Sequence, residues 1–148
     1  MYLRRFQKED LQDLIALFKD TVQAINSKDY SEAEIQAWIT SKTNFADWLE
    51  SLTRNYCLLA IDNQNIVGFG DITADGYLDR LFVHRDFQGQ GIATVLCDQL
   101  ELQAKGAIVT HASITAKGFF EKRGYRTIKE QKVFRNGVWL KNYVMQKN

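Results

Sequence analysis

From Val83 to Leu96 the chain reads VHRDFQGQGIATVL, which leaves an apolar strand-like segment, YLDRLFV, and enters a helical pattern through two glycines. This succession fixes a strand, a tight loop and an amphipathic helix in one short stretch. The loop carries chemistry as well as geometry. At a helix N-terminus several backbone N–H groups lack partners, and together with the helix dipole they form an anion site. Glycine lets phosphate oxygens come close to that backbone. GQGIAT lacks the third glycine of a dinucleotide fingerprint, and no Gly-Lys-Ser/Thr follows for a P-loop. A different phosphate-bearing ligand is indicated.

The rest of the chain alternates between the two periodicities without a linker. Tyr2 to Phe6 reads as a first strand, and Leu11, Leu14, Ile15, Leu17, Phe18, Val22 and Ile25 form a helical stripe. SEAE at Ser31 offers a capping box for a second helix carrying Ile35, Trp38 and Ile39, and NFADWLESL is a further helical piece capped by Asn44. CLLAID and IVGFGDIT flank the turn-forming NQN as a hairpin, and YLDRLFV follows the turn at ADG. The helix after the glycines is expected from Gly91 to Lys105, stopped by Gly106. AIVTHA is a short strand, Thr115 to Lys122 a helix closed by Gly124, and two last strands flank Asn136-Gly137, a type I′ turn signal.

A length of 148 residues suits one domain, and a net charge of +1 gives no bulk reason to expect nucleic acid or an anionic membrane as partner. Cys57 and Cys97 lie far apart in apolar segments and read as reduced, buried thiols; no cluster argues for a metal. MYLRRFQKEDLQDL has no apolar core of a signal peptide, so a cytoplasmic protein is expected.

Gln88-Gly89-Gln90-Gly91-Ile92-Ala93 matches the Q/R-x-x-G-x-G/A signature of the GNAT superfamily of N-acetyltransferases, and LFVHRDFQGQGIA as a whole resembles its central strand, loop and helix. ASITAKGFFEKRGY resembles the family's second cofactor motif, and VGFGDI its second and third strands. The resemblance, to a small single-domain bacterial-type member, covers nearly the whole chain. It implies an α/β (α+β) fold in which residues 1–148 form one domain. Its mixed central sheet has six to seven strands, splayed between the fourth and fifth and flanked by about four helices. It also implies acetyl-CoA as acyl-donor cosubstrate, with no metal. Carried over position by position, the backbone amides of Gln88, Gly89, Gln90, Gly91, Ile92 and Ala93 hold the pyrophosphate. Phe82 and Val83 pair with the pantetheine arm, and the Val83 N–H polarises the thioester carbonyl. Ser113 stands where an asparagine often contacts the arm.

The reaction implied is attack of a neutral amine on the thioester, with a base or water chain taking the proton. Asp79 is the leading base, because strand alternation puts it on the face of Leu81 and Val83; the competing reading is a structural carboxylate paired with Arg80. His111, at the end of the next strand, is a second candidate acting through water. The sequence departs from the common pattern at Phe120, where a tyrosine often serves as acid against the cofactor. Water, Ser113 or Tyr143 must then supply the proton, and Tyr143 is the leading hydroxyl. For the acceptor, the first helices contribute Tyr30, Trp38, Phe45 and Trp48, with Tyr30 and Trp38 the expected contacts; rings facing the cleft would favour an apolar or cationic amine. A small-molecule acceptor leads. A protein or peptide acceptor and a noncatalytic CoA-binding module are the alternatives, and a homodimer is left open.

Overall fold

The computed structural model describes residues 1–148. Seven strands form one mixed sheet: β1 (Tyr2–Arg5), β2 (Tyr56–Asp62), β3 (Asn65–Ile72), β4 (Tyr77–Val83), β5 (Ile108–Ser113), β6 (Arg126–Arg135) and β7 (Val138–Lys147), in the order β1-β2-β3-β4-β5-β7-β6. Every neighbouring pair is antiparallel except β4 with β5. Five α-helices flank it: α1 (Leu11–Ala24), α2 (Glu32–Ser41), α3 (Phe45–Arg54), α4 (Ile92–Glu101) and α5 (Lys117–Lys122). α3 is the helical piece expected from NFADWLESL, and its cap forms as the sequence predicts, with Asn44 Oδ1 accepting the Asp47 N–H at 3.0 Å. The Ser31 capping box forms as the sequence predicts, with Glu34 N–H to Ser31 Oγ at 3.1 Å and Ser31 N–H to Glu34 Oε1 at 2.8 Å.

β2 and β3 are buried on both faces, whereas β6 at the edge is largely exposed, and alternation along β2 divides its residues between two cores. Cys57, Leu59 and Ile61 join Leu14, Phe18, Trp48 and Leu52 under α1 and α3, whereas Leu58 and Ala60 join Leu96, Leu100 and Phe120 under α4 and α5. Gly68 and Gly70 on β3 let α4 settle close to the sheet. A Cβ at Gly70 would stand 2.9 Å from both the Arg80 carbonyl oxygen and Leu100 Cδ1, and one at Gly68 3.0 Å from Ile92 Cγ2. No helix is long and apolar enough to cross a membrane.

α4 ends at Glu101, short of the expected Lys105. Its last turn tightens through i→i+3 bonds from Gln103 N–H to Leu100 and from Ala104 N–H to Glu101, so Gly106 is not its stop. The splay stands where it is expected, between β4 and β5. They pair only at Tyr77↔Val109 and Leu78↔Thr110, with Thr110 Oγ1 donating to the Leu78 carbonyl at 2.9 Å; β5 then follows β7 along its whole length.

One ionic knot ties α4, α5 and β7 together on the far side of the splay. The Glu101 carboxylate accepts from Arg123 Nε (2.7 Å), Tyr125 Oη (2.7 Å) and Lys147 Nζ (3.0 Å). Although desolvation pushes the carboxyl up, these donors outweigh it and hold Glu101 below its ordinary range. Glu101→Ala is expected to lower stability by about 2 to 3 kcal/mol, just under the range for a wholly buried pair because Lys147 is part-exposed. The native carboxyl binds its proton less readily than the unfolded one. The contribution is therefore complete above the unfolded glutamate pKa of about 4.3 and fades as pH falls through the native value. Denaturant unfolding of both proteins at neutral and acid pH measures it.

Candidate active site

The site begins with the free edge of β4. His84 N–H donates to the Val67 carbonyl at 2.8 Å, and in an antiparallel ladder bonded pairs alternate. Residues 84, 82 and 80 therefore turn their backbone groups to β3, while the N–H groups of Leu81 and Val83 point into the splay. The Val83 carbonyl is already taken by Gln88 Nε2 at 2.6 Å and Thr21 Oγ1 at 3.3 Å. Leu81 is a residue the sequence reading missed, since only the register reveals that its amide is free like that of Val83.

From this edge the chain makes a 3₁₀ turn, Arg85–Phe87, in which His84 Nδ1 accepts the Asp86 N–H at 3.1 Å. Gly89 and Gly91 then adopt φ of +72° and +81°, and Gly91 is the left-handed N-cap of α4. Nothing lies within 4 Å of a Cβ built at either position, so backbone conformation, not space, excludes side chains there. The open volume in front of the loop is where an anion would lie.

Loop and splay open onto one cavity of about 620 Å³. At its loop end stand Gln88, Gly89, Gly91, Ile92 and Ala93, and along its flanks Phe82, Val83, Ser113 and Phe120. Gln90 is exposed and lies off the lining. Ser113 Oγ accepts from Ala116 N–H at 3.1 Å and from Asn26 Nδ2 at 3.4 Å. Phe120 is 3% exposed, packed edge-on against Phe119 and Tyr125 at 5.2 and 5.0 Å. Thr115 Oγ1 and Asn142 Oδ1, also on residues of the lining, are buried with no hydrogen-bond partner.

Tyr143 is absent from the lining: it packs with the core of Met145, Lys117 Nζ lying 4.6 Å from its ring centre, while Asn142 lines the cavity. Tyr30 and Trp38 do line the cavity, edge-on at 5.5 Å. The Tyr30 hydroxyl is spent: it donates to the Lys141 carbonyl at 2.6 Å and accepts the Ile114 N–H at 2.9 Å, and burial pushes its pKa up to about 12. Trp48 also lines the cavity, whereas Phe45 is exposed outside it.

Asp79 reaches the cavity by a different route from simple alternation. Asp71 opposes Arg80 while Ile72 opposes Leu78, so Asp79 is the extra residue of a β-bulge. Leu78 and Leu81 consequently pack in the same core although three residues separate them, and Asp79 does not share a face with Leu81 and Val83. It lines the cavity with its Oδ2 3.3 Å from Arg80 Nη1. Beside it, desolvation holds the His111 imidazole below its ordinary pKa, and burial with the Asp79 charge pushes Tyr77 up to about 12; the two rings meet edge-on at 5.2 Å.

Behind Asp79 sits a network only partly visible in the sequence, as two adjacent charges, Asp79-Arg80, in an apolar strand. Arg80 Nη1 donates to Asp71 Oδ2 at 2.6 Å, its Nη2 to Ser51 Oγ at 2.7 Å, and its guanidinium covers the Trp48 ring at 4.6 Å. Asp71 is fully buried; desolvation pushes its carboxyl up to about 6 while Arg80 pulls the other way. Lys42 and Arg135 complete this end of the lining, brought there by the close of α2 and by the β6–β7 hairpin, with no sequence signal of their own. The two cysteines are free and buried, and no group of three or more His, Cys, Asp or Glu residues stands together as a metal site.

Against known proteins, the family described as Acetyltransferase (GNAT) domain matches residues 26–147. The N-acetyltransferase YafP of Escherichia coli (strain K12) is 35% identical over 144 residues, covering 97% of this chain and 93% of its own. Among solved structures, a GCN5-related N-acetyltransferase from Rhodopseudomonas palustris superposes with a TM-score of 0.94 at 32% identity, covering 99% of this chain and 94% of that one. The PaiA N-acetyltransferase from Thermoplasma acidophilum, solved in complex with coenzyme A, superposes with a TM-score of 0.79 at 20% identity over 99% and 97% of the two chains.

With Tyr143 off the lining, Tyr143→Phe is expected to leave thiol release from acetyl-CoA within about twofold of the wild-type rate, against the hundredfold or more typical of a lost general acid. A steady-state thiol assay measures the difference.

Proposed function

The chain belongs to the GNAT family of N-acetyltransferases, and from there we propose that it transfers an acetyl group directly from acetyl-CoA to a primary amine of a small molecule, residues 1–148 acting as one domain. The observation that carries this reading is a glycine-capped helix N-terminus joined without a break to a strand whose free amides open on a cavity of about 620 Å³. The donor set fits the cosubstrate. The left-handed Gly89 and Gly91 leave open space before the α4 amides for a pyrophosphate, and the unpartnered Thr115 Oγ1 and Asn142 Oδ1 suit the amides of a pantetheine arm. Acetyl-CoA supplies the acyl group as a thioester.

The chain's own residues divide the remaining work. Gln88, Gly89, Gly91, Ile92 and Ala93 bind the phosphates, with Gln88 also bracing the loop through its bond to the Val83 carbonyl. Phe82, Val83 and Ser113 align the arm along β4, with the Leu81 N–H free on the same edge, and the Val83 N–H faces the carbonyl oxygen, where its oriented dipole stabilises negative charge as it develops. Asp79 takes the proton from the amine, directly or through water held with His111. Phe120 has no proton to give. A thiolate, far less basic than an alkoxide, departs without a side-chain acid and is protonated from solvent. Tyr30 and Trp38 wall the acceptor side. A cytoplasmic setting fits two unpaired cysteines.

The test is free-thiol release from acetyl-CoA across a library of small amines and peptides. Acceleration by small amines supports the reading; acceleration by peptides alone replaces it with a peptide acetyltransferase, and slow hydrolysis unaffected by any amine replaces it with a CoA-binding module.

Gly91→Val, which forces a β-branched residue to a φ of +81°, should weaken CoA binding by about tenfold or more while unfolding stays cooperative. Calorimetric titration with CoA gives the affinity. Asp79→Asn should reduce turnover at neutral pH by about a hundredfold with little change in CoA affinity, and raising the pH should restore part of the rate as free amine accumulates. A pH–rate profile of the variant separates this from a structural role, which would lower thermal stability and leave turnover normal.

A further inference from the structure

We propose that the acceptor carries an oxyanion, a carboxylate or a phosphate ester, beside its reacting amine, held by Lys42 and Arg135 with Arg80 behind them at the end of the cavity remote from the glycine loop. This rests on the acetyltransferase reading and names the substrate class for it.

Position separates these cations from the cofactor phosphates. Counting back from Val83, at the mouth of the loop, to Asp79 spans four residues, roughly 13 Å of strand at about 3.3 Å per residue. Arg80 sits on β4 at that far end, Lys42 arrives from the end of α2 and Arg135 from the hairpin, and all three line the cavity. The phosphate cradle has its own donors in the α4 amides and needs none of them.

Charge balance then limits what can bind. Lys42 and Arg135 are in no ion pair, whereas Lys141, the next cation of the lining, is paired with Glu130 at 3.8 Å. Against Lys42, Arg80 and Arg135 stand Asp79 and the buried Asp71, and His111 is held toward its neutral form, so this end keeps a positive excess. Lys42 is an exposed residue whose ammonium lies below the ordinary lysine range through desolvation first and then the Arg135 charge, with Asp79 pulling it back. An oxyanion arriving here offsets the repulsion between the Lys42 and Arg135 charges, and a purely cationic amine adds to it. The aromatic surface left for a cation is reduced as well. The Trp48 ring is already covered by Arg80, and Trp38 is engaged edge-on with Phe18 and Tyr30. The same field disfavours the ammonium form of the bound amine and so favours the neutral nucleophile beside Asp79.

The experiment compares matched acceptors in the thiol-release assay: α- and ω-amino acids against their amides, and phosphoethanolamine against ethanolamine, with putrescine as the dicationic control. The charged member of one pair or the other is expected to exceed its neutral partner by about tenfold or more in kcat/KM, and the pair that responds distinguishes carboxylate from phosphate. The double variant Lys42→Gln, Arg135→Gln should bring that ratio to within about threefold, mainly through KM, with CoA affinity by calorimetry and melting temperature near wild type. Neutral partners or putrescine that match or exceed the anionic acceptors overturn the proposal and leave the acetyltransferase reading standing, as does a preference that survives the double variant. Failure of every amine to accelerate thiol release, with CoA still bound, overturns both.

Discussion

β4 and β5 share two backbone rungs and then part, and the site depends on that parting. An unpaired strand edge inside a domain is costly unless its polar groups find partners, at about 1 to 3 kcal/mol for each buried orphan. Here the cost is contained by local means: Thr110 closes the last rung on the Leu78 carbonyl, Thr21 and Gln88 cover the Val83 carbonyl, and the remaining amides face a cavity open to a ligand. Two features flank the parting: β5 is engaged on its other edge with β7 from Ile108 to Ser113, and β4 carries the bulge at Asp79, which raises the local twist.

The bulge has an electrostatic consequence too. By inserting Asp79 it leaves Arg80 facing the α3 side, where Asp71, Ser51 and the Trp48 ring fix the guanidinium in one orientation. A buried carboxylate such as Asp71 is weak evidence for stability, because desolvation offsets its pairing, and its Oδ1 has no partner at all. Its evident effect is orientational. The positive charge of Arg80 sits on a side chain that is 14% exposed and held at both ends of its fork, so the field it sets up at this end of the cavity is rigid.

Much of this was legible in the sequence because it is local. The glycine loop, the capping box at Ser31, the type I′ turn at Asn136-Gly137, with φ of +43° and +84°, and the alternation that divides β2 between two cores are each encoded within a few residues. The splay came from family likeness, not from any residue near it. What escaped was non-local or rested on breaking a rule. Alternation placed Asp79 beside Leu81 and Val83, and a single inserted residue undid that. Alternation correctly paired Tyr143 with Met145 but could not say which face of β7 met the cleft. Lys42 and Arg135 look like ordinary surface cations until α2 and the hairpin bring them to the same wall.

Gly68 and Gly70 set the depth at which α4 rests on the sheet, since side chains there would strike Ile92, Leu100 and the β4 carbonyls. The N-terminus of that helix carries the left-handed Gly91, and β4, approached by the same two positions, carries the Leu81 and Val83 amides that face the splay. Two missing methyl groups therefore act as a spacer that sets the gap between the glycine loop and the free strand edge. Their influence on that gap is purely geometric, and alanine at either position would displace α4 and β4 together, because a smaller residue at 92 or 100 relieves only the helix contact and leaves a β4 carbonyl 2.9 to 3.2 Å from the added Cβ.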